Sequence, residues 1–77
     1  TPIQGNRGMP DLVIVGPGGV LYPELKSASG SLDADQRRWR DALLAAGQRW
    51  RLYRPEHWLA GEIERDLKAL AKGDNHA

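Results

Sequence analysis

The sequence predicts an α/β domain in which a mixed sheet is built on a β-hairpin and flanked by helices, and three patterns predict it. Leu12-Val13-Ile14-Val15 is a continuous, mostly β-branched run; Gly16-Pro17-Gly18-Gly19 follows, and Val20 to Lys26 resumes a strand-like pattern. Downstream, Trp39, Leu43 and Ala46 recur at helical spacing. Arg49 to Arg54 then alternates as a half-buried strand does, with Trp50 and Leu52 on one side and Arg49, Arg51 and Tyr53 on the other.

Taken in order, Thr1 to Met9 carry Pro2, Gly5 and Gly8 with little apolar content and predict an extended or disordered lead-in. In the hairpin, Pro23 has no N–H to donate, so its nitrogen is expected at a sheet edge or bulge. Ser27 to Ser31 is a small polar connector. Asp33-Ala34-Asp35-Gln36 then places an N-cap acid three residues before a glutamine, the capping-box spacing, and Gly47 supplies a C′ stop for the helix that follows. After the third strand, Pro55 suits a first helical position. Trp58, Leu59, Ile63, Leu67 and Leu70 form an amphipathic segment, bent or broken near Gly61. Gly73 to Ala77 is expected to fray. The organisation is thus a lead-in at 1–9, one domain at 10–72 and a tail at 73–77, with no internal repeat.

A chain of 77 residues supports only a small core, and without cysteine it has neither a disulfide framework nor a thiolate metal site. Further stabilisation is expected from oligomerisation, from a missing piece of chain, or from unusually good packing. No apolar run is long enough to span a bilayer and no charged-then-apolar leader opens the chain, so a soluble cytoplasmic protein is expected. The net charge is only +1, but Arg37, Arg38, Arg40, Arg49, Arg51 and Arg54 crowd the middle of the chain, a distribution suited to phosphate contacts.

The chemistry lies in Pro10-Asp11 and Glu24-Leu25-Lys26. Residues two apart in a strand share a face, so Glu24 and Lys26 project together while Leu25 points to the opposite layer. Folding at the glycine turn brings Asp11, expected to open the first strand, back to Glu24 and Lys26 at the end of the second. Two hard carboxylates are what Mg²⁺ takes from a protein when water and phosphate complete its octahedron. Taken singly these are ordinary surface residues, and E-x-K alone is a weak motif; the joint pattern, with Gln36 on the next helix, points to catalysis.

The stretches Gly8-Met9-Pro10-Asp11-Leu12, Pro23-Glu24-Leu25-Lys26, Leu32-Asp33-Ala34-Asp35-Gln36 and Tyr53-Arg54-Pro55 resemble the virus-type replication-repair nuclease (VRR-Nuc) branch of the PD-(D/E)-x-K superfamily. The resemblance covers most of the chain. It implies a restriction-endonuclease-like core, hydrolysis of DNA phosphodiesters with Mg²⁺ or Mn²⁺, and, as in stand-alone phage and bacterial members similar to Holliday-junction resolvases, a homodimer acting on branched DNA in a bacterial or phage-infected cell. Asp11, Glu24 and the Leu25 carbonyl would be metal ligands, Lys26 would orient water or stabilise developing charge, and Gln36 would be a positioning residue reaching toward the metal water or a DNA phosphate. Arg37, Arg38, Arg40 and Arg54 would meet DNA, with solvation competing for the first three and a helix-capping or carboxylate-pairing role for Arg54. The superfamily core usually begins with a helix before the Pro-Asp strand, and Thr1 to Met9 are too short and glycine-rich to supply it: the chain is trimmed, or a partner subunit provides that layer, or the fold is minimal.

Trp39 is read as core. Gly16 to Gly19 lacks the lysine and the strand-loop-helix context of a phosphate loop and is read as a turn. His57 and His76 have no partner at ligand spacing. The rival is a non-catalytic DNA-binding module that keeps the nuclease fold; a protein-interaction subunit would leave the arginine cluster without a purpose.

Overall fold

The computed structural model describes residues 3, 5 and 7–72, so the tail expected at 73–77 and part of the lead-in lie outside the described residues. The elements run β1 (Ile14–Gly16), β2 (Gly19–Leu25), α1 (Ala34–Ala45), β3 (Arg49–Tyr53), α2 (Pro55–Leu59) and α3 (Glu62–Lys72). β2 is the central strand, antiparallel to β1 and parallel to β3, which makes the three-stranded sheet mixed as expected. The antiparallel neighbour needs only the Pro17-Gly18 turn, whereas the parallel one needs the α1 crossover.

β1 is shorter than the apolar run predicts, and Pro23 is the reason. The Leu12 N–H donates to the Pro23 carbonyl at 3.3 Å. In a strand the N–H and C=O of one residue leave on the same edge, so the Pro23 nitrogen also faces Leu12 and has no proton to return the bond. Regular pairing stops there. Leu12 and Val13 stay outside the strand, and Asp11 precedes β1 instead of opening it. The edge expected for Pro23 is this irregular segment, although Pro23 itself is fully buried in the central strand.

The core consists of Leu21, Tyr53 and Leu70, with Ile14 and Ile63 packed against it. The side of β3 that meets α3 is therefore the one carrying Arg51 and Tyr53, while Trp50 and Leu52 are half-buried. Charge is tolerated there because α3 supplies acids: Arg51 pairs with Glu62 at 3.1 Å and Asp66 at 3.6 Å, and the Tyr53 hydroxyl donates to Asp66 at 2.6 Å. The amphipathic segment breaks where expected, at Gly61 with φ +76°. Its short first part does not join the core: Trp58 and Leu59 are 67% and 85% exposed.

α1 starts with the full capping box of Asp33 and Gln36. It ends in a Schellman arrangement, with the Gly47 N–H on the Leu44 carbonyl, the Gln48 N–H on the Leu43 carbonyl, and Gly47 at φ +79°. None of its residues is fully buried, so Trp39 is not core. Its indole N–H instead donates to the Arg7 carbonyl at 2.9 Å and seats the end of the lead-in across the helix. Gly8 makes that approach possible, since a Cβ there would collide with the Asp35 backbone.

Candidate active site

β2 presents Leu21 to the core, so by alternation Glu24 belongs to the other side, where the first turn of α1 arrives. Glu24 is only 3% exposed, an unusual position for a carboxylate. One oxygen, Oε2, accepts from the Gln36 Nε2 at 3.0 Å. The other, Oε1, is buried and accepts no hydrogen bond. A buried carboxylate oxygen without a donor is costly unless something else meets it.

Asp11 reaches the same place from the segment before β1: its Oδ2 accepts the Leu25 N–H at 2.9 Å, at the edge of β2 that β1 has left open. The Leu25 carbonyl leaves the strand on that edge too. Lys26 lies one residue beyond β2, but its N–H still bonds the Tyr53 carbonyl at 3.0 Å, which carries the alternation forward and returns its side chain to the side of Glu24. Burial, then the negative charge of Asp11 and a carboxyl–carboxyl hydrogen bond with Asp11 that favours the protonated form, push the Glu24 carboxyl from 4.5 up to about 7; Lys26 acts in the opposite sense and Asp33 adds to the rise.

Asp11, Glu24, Leu25, Lys26 and Gln36 are thus brought together. The arginines are placed differently. Arg37 donates to the Leu32 carbonyl at 2.6 Å, Arg38 pairs with Asp35 and Arg40 with Asp41, all within or just before α1. Arg54 departs most from a DNA contact: its guanidinium donates to the carbonyls of Ser27 at 2.8 Å and Gly30 at 2.6 Å, clamping the connector that follows Lys26. Nothing local in the sequence marks that clamp, because its partners lie on the far side of the α1 crossover. His57 caps α2, its Nδ1 accepting the Arg54 N–H at 2.8 Å.

Among the described residues no group of three His, Cys, Asp or Glu side chains converges. The side chains that meet at this strand end offer hard oxygens: the carboxylates of Asp11 and Glu24, the latter with an unsatisfied buried oxygen. That donor set fits Mg²⁺ or Mn²⁺, which take few protein ligands and complete their shell with water and phosphate. No family model, curated protein or solved structure matches the chain.

Proposed function

We propose that the chain is a metal-dependent deoxyribonuclease of the PD-(D/E)-x-K type, hydrolysing DNA phosphodiesters with a preference for branched substrates. The observation that carries this reading is the buried Glu24, whose Oε1 has no hydrogen-bond donor, at a strand end shared with Asp11 and Lys26. Asp11, Glu24 and the Leu25 carbonyl hold the ion. Bound Mg²⁺ supplies charge neutralisation on the scissile phosphate and a water of lowered pKa. Lys26, as an ammonium on the same side as Glu24, orients that water or stabilises the negative charge that grows on the phosphate. Burial of Glu24 and the nearby Asp11 charge disfavour an ionised pair, and a divalent cation relieves that repulsion.

The surroundings suit a long substrate. Two clefts of about 440 and 490 Å³ lie away from the site, one lined by Leu21 and Leu70 and the other by Trp58 and Leu67, while Asp11 is exposed at the surface. A polymer lying across an open strand end needs no enclosing pocket. A second copy of the chain, joined through the exposed Trp58 and Leu67, completes the proposed assembly.

The rival, a DNA-binding module that does not cut, is favoured by one observation: no third acidic or imidazole group joins Asp11 and Glu24 among the described residues. Labelled duplex, single-stranded, flap and four-way DNA, incubated with the protein with and without Mg²⁺, separates the two. Mg²⁺-dependent cleavage supports the nuclease. Binding without cleavage selects the module.

A further inference from the structure

Both polar atoms of the Gln36 side chain and its own N–H have partners, with one Nε2 hydrogen left over. Its backbone N–H donates to Asp33 Oδ1 at 2.8 Å, its Oε1 accepts the Asp33 N–H at 2.9 Å, and its Nε2 donates to Glu24 Oε2 at 3.0 Å. The orientation of the amide follows from chemistry alone. The Asp33 N–H can only donate, so the oxygen must face it, and the NH₂ must then face the carboxylate. One carboxylate oxygen is thereby tied to the start of a helix, and the other is left as the acceptor without a donor.

We infer that the capping box of α1 is also the device that orients Glu24, so that Gln36 is a positioning residue acting through Glu24. This rests on the proposal that Glu24 binds a divalent ion. The helix cap and the metal carboxylate share one side chain, and the closure of α1 at Asp33 sets which Glu24 oxygen is presented. A carboxylate left free to rotate about its last bond must be ordered anew each time an ion binds, and partners that hold a ligand in this way typically change metal affinity by roughly 10- to 100-fold when removed.

The two roles of the box separate by mutation. Asp33→Ala removes the Oδ1 acceptor but leaves the Asp33 N–H that holds the Gln36 amide; Asp33→Asn keeps the cap and removes the same charge, which sets the electrostatic baseline. Gln36→Ala keeps the bond from its backbone N–H to Asp33 but frees Glu24. Gln36→Met does the same with the side-chain length preserved. Mn²⁺ titration by calorimetry, and melting in chelator, are measured on the full chain and each variant.

The expected result is a crossed pattern. Asp33→Ala melts lower than the wild type and binds Mn²⁺ as Asp33→Asn does, whereas Gln36→Ala and Gln36→Met bind Mn²⁺ roughly 10- to 100-fold more weakly with the smaller change in melting. Wild-type affinity in both Gln36 variants overturns the positioning role while leaving the metal reading intact. Affinity that falls in step with melting across all variants also overturns it, by assigning the effect to the fold. Absence of Mn²⁺ binding in the wild type overturns the metal reading itself, and this inference with it.

Discussion

Glu24 ionises against two penalties, burial and the neighbouring Asp11 carboxylate, and each makes the folded protein hold its proton more tightly than the unfolded chain does. Below pH 4.5 both states are protonated and neither penalty is felt. Between 4.5 and about 7 the unfolded chain ionises first, so stability is lost as pH rises and levels off above the folded value. The full loss is at most about 3 kcal/mol. In chelator, the melting temperature of the wild type relative to Glu24→Gln should therefore fall across that window; a difference independent of pH would show that Glu24 is not so perturbed. Mg²⁺ should raise melting most above pH 7, where the site carries its full charge, and Asp11→Asn should remove much of that gain. Lys26→Ala is expected to lower cleavage by about 100- to 1,000-fold with melting and DNA binding nearly intact, since the ammonium acts on charge that develops during the reaction. Unchanged turnover in Lys26→Ala would remove it from the site. The convergence of these residues was legible because a strand's period of two and a glycine turn are local rules. The Gln36 contact with Glu24 and the Arg54 clamp were not, since the first depends on how the α1 crossover folds back on β2 and the second joins segments on either side of it.

Elements whose ends are set by neighbouring residues were read closely from the sequence: the capping box, the Gly47 stop and the break at Gly61 all lie where local chemistry puts them. Two of the misread features are tertiary. Pro23 shortens β1 only because Leu12 is its partner, and the charged side of β3 faces the core only because α3 brings Glu62 and Asp66 to Arg51. The hairpin turn also has a partner that periodicity does not reveal: the Gly18 N–H donates to the Leu70 carbonyl at 2.6 Å, capping the end of α3. A Cβ on Gly18 would lie 2.7 Å from the Ala69 carbonyl oxygen and 2.8 Å from that of Leu70. Gly18→Ala should therefore push the turn off the helix and cost about 1–3 kcal/mol in denaturant unfolding. Gly47→Ala meets no atom within 4 Å but must hold φ +79°, so its cost should be about 1–2 kcal/mol from backbone strain alone. Both positions lie away from Asp11 and Glu24, and Mn²⁺ affinity should survive in each. A Gly18→Ala protein as stable as the wild type would mean that the turn does not lock α3.

The described part of the molecule measures 34 × 30 × 16 Å, and across so thin a body few side chains have neighbours on every side. Only Leu21, Tyr53 and Leu70 are buried among its larger hydrophobic residues aside from Pro10 and Pro23, a small core for a domain without cysteine. The apolar surface left over is not scattered evenly. Trp58 and Leu67 line one cleft with Gly61 and Ala71, and Trp58 is 67% exposed. Ile63 is turned into the core and Trp50 is half-buried, whereas Trp58 and Leu67 stay at the surface. Glu64 and Lys68, one turn apart on α3 and 4.0 Å from each other, rim the same cleft. An acid and a base so placed are complementary to themselves when two copies meet about a two-fold axis, each Glu64 facing the partner's Lys68. Self-association through this face should appear as a discrete dimer in sedimentation equilibrium at tens of micromolar. Leu67→Glu should return a folded monomer, because the charge falls within the apolar patch and Leu67 is not part of the core cluster. A wild-type monomer under those conditions would refute the dimer. If the dimer forms, two sites of opposite strand polarity stand at a fixed separation, which favours paired cuts across a symmetric four-way junction over cuts in linear duplex. Leu67→Glu should then lose the junction preference while keeping Mg²⁺-dependent cleavage of each strand, whereas equal cleavage of junction and duplex by the wild-type dimer would leave a nuclease without structural selectivity.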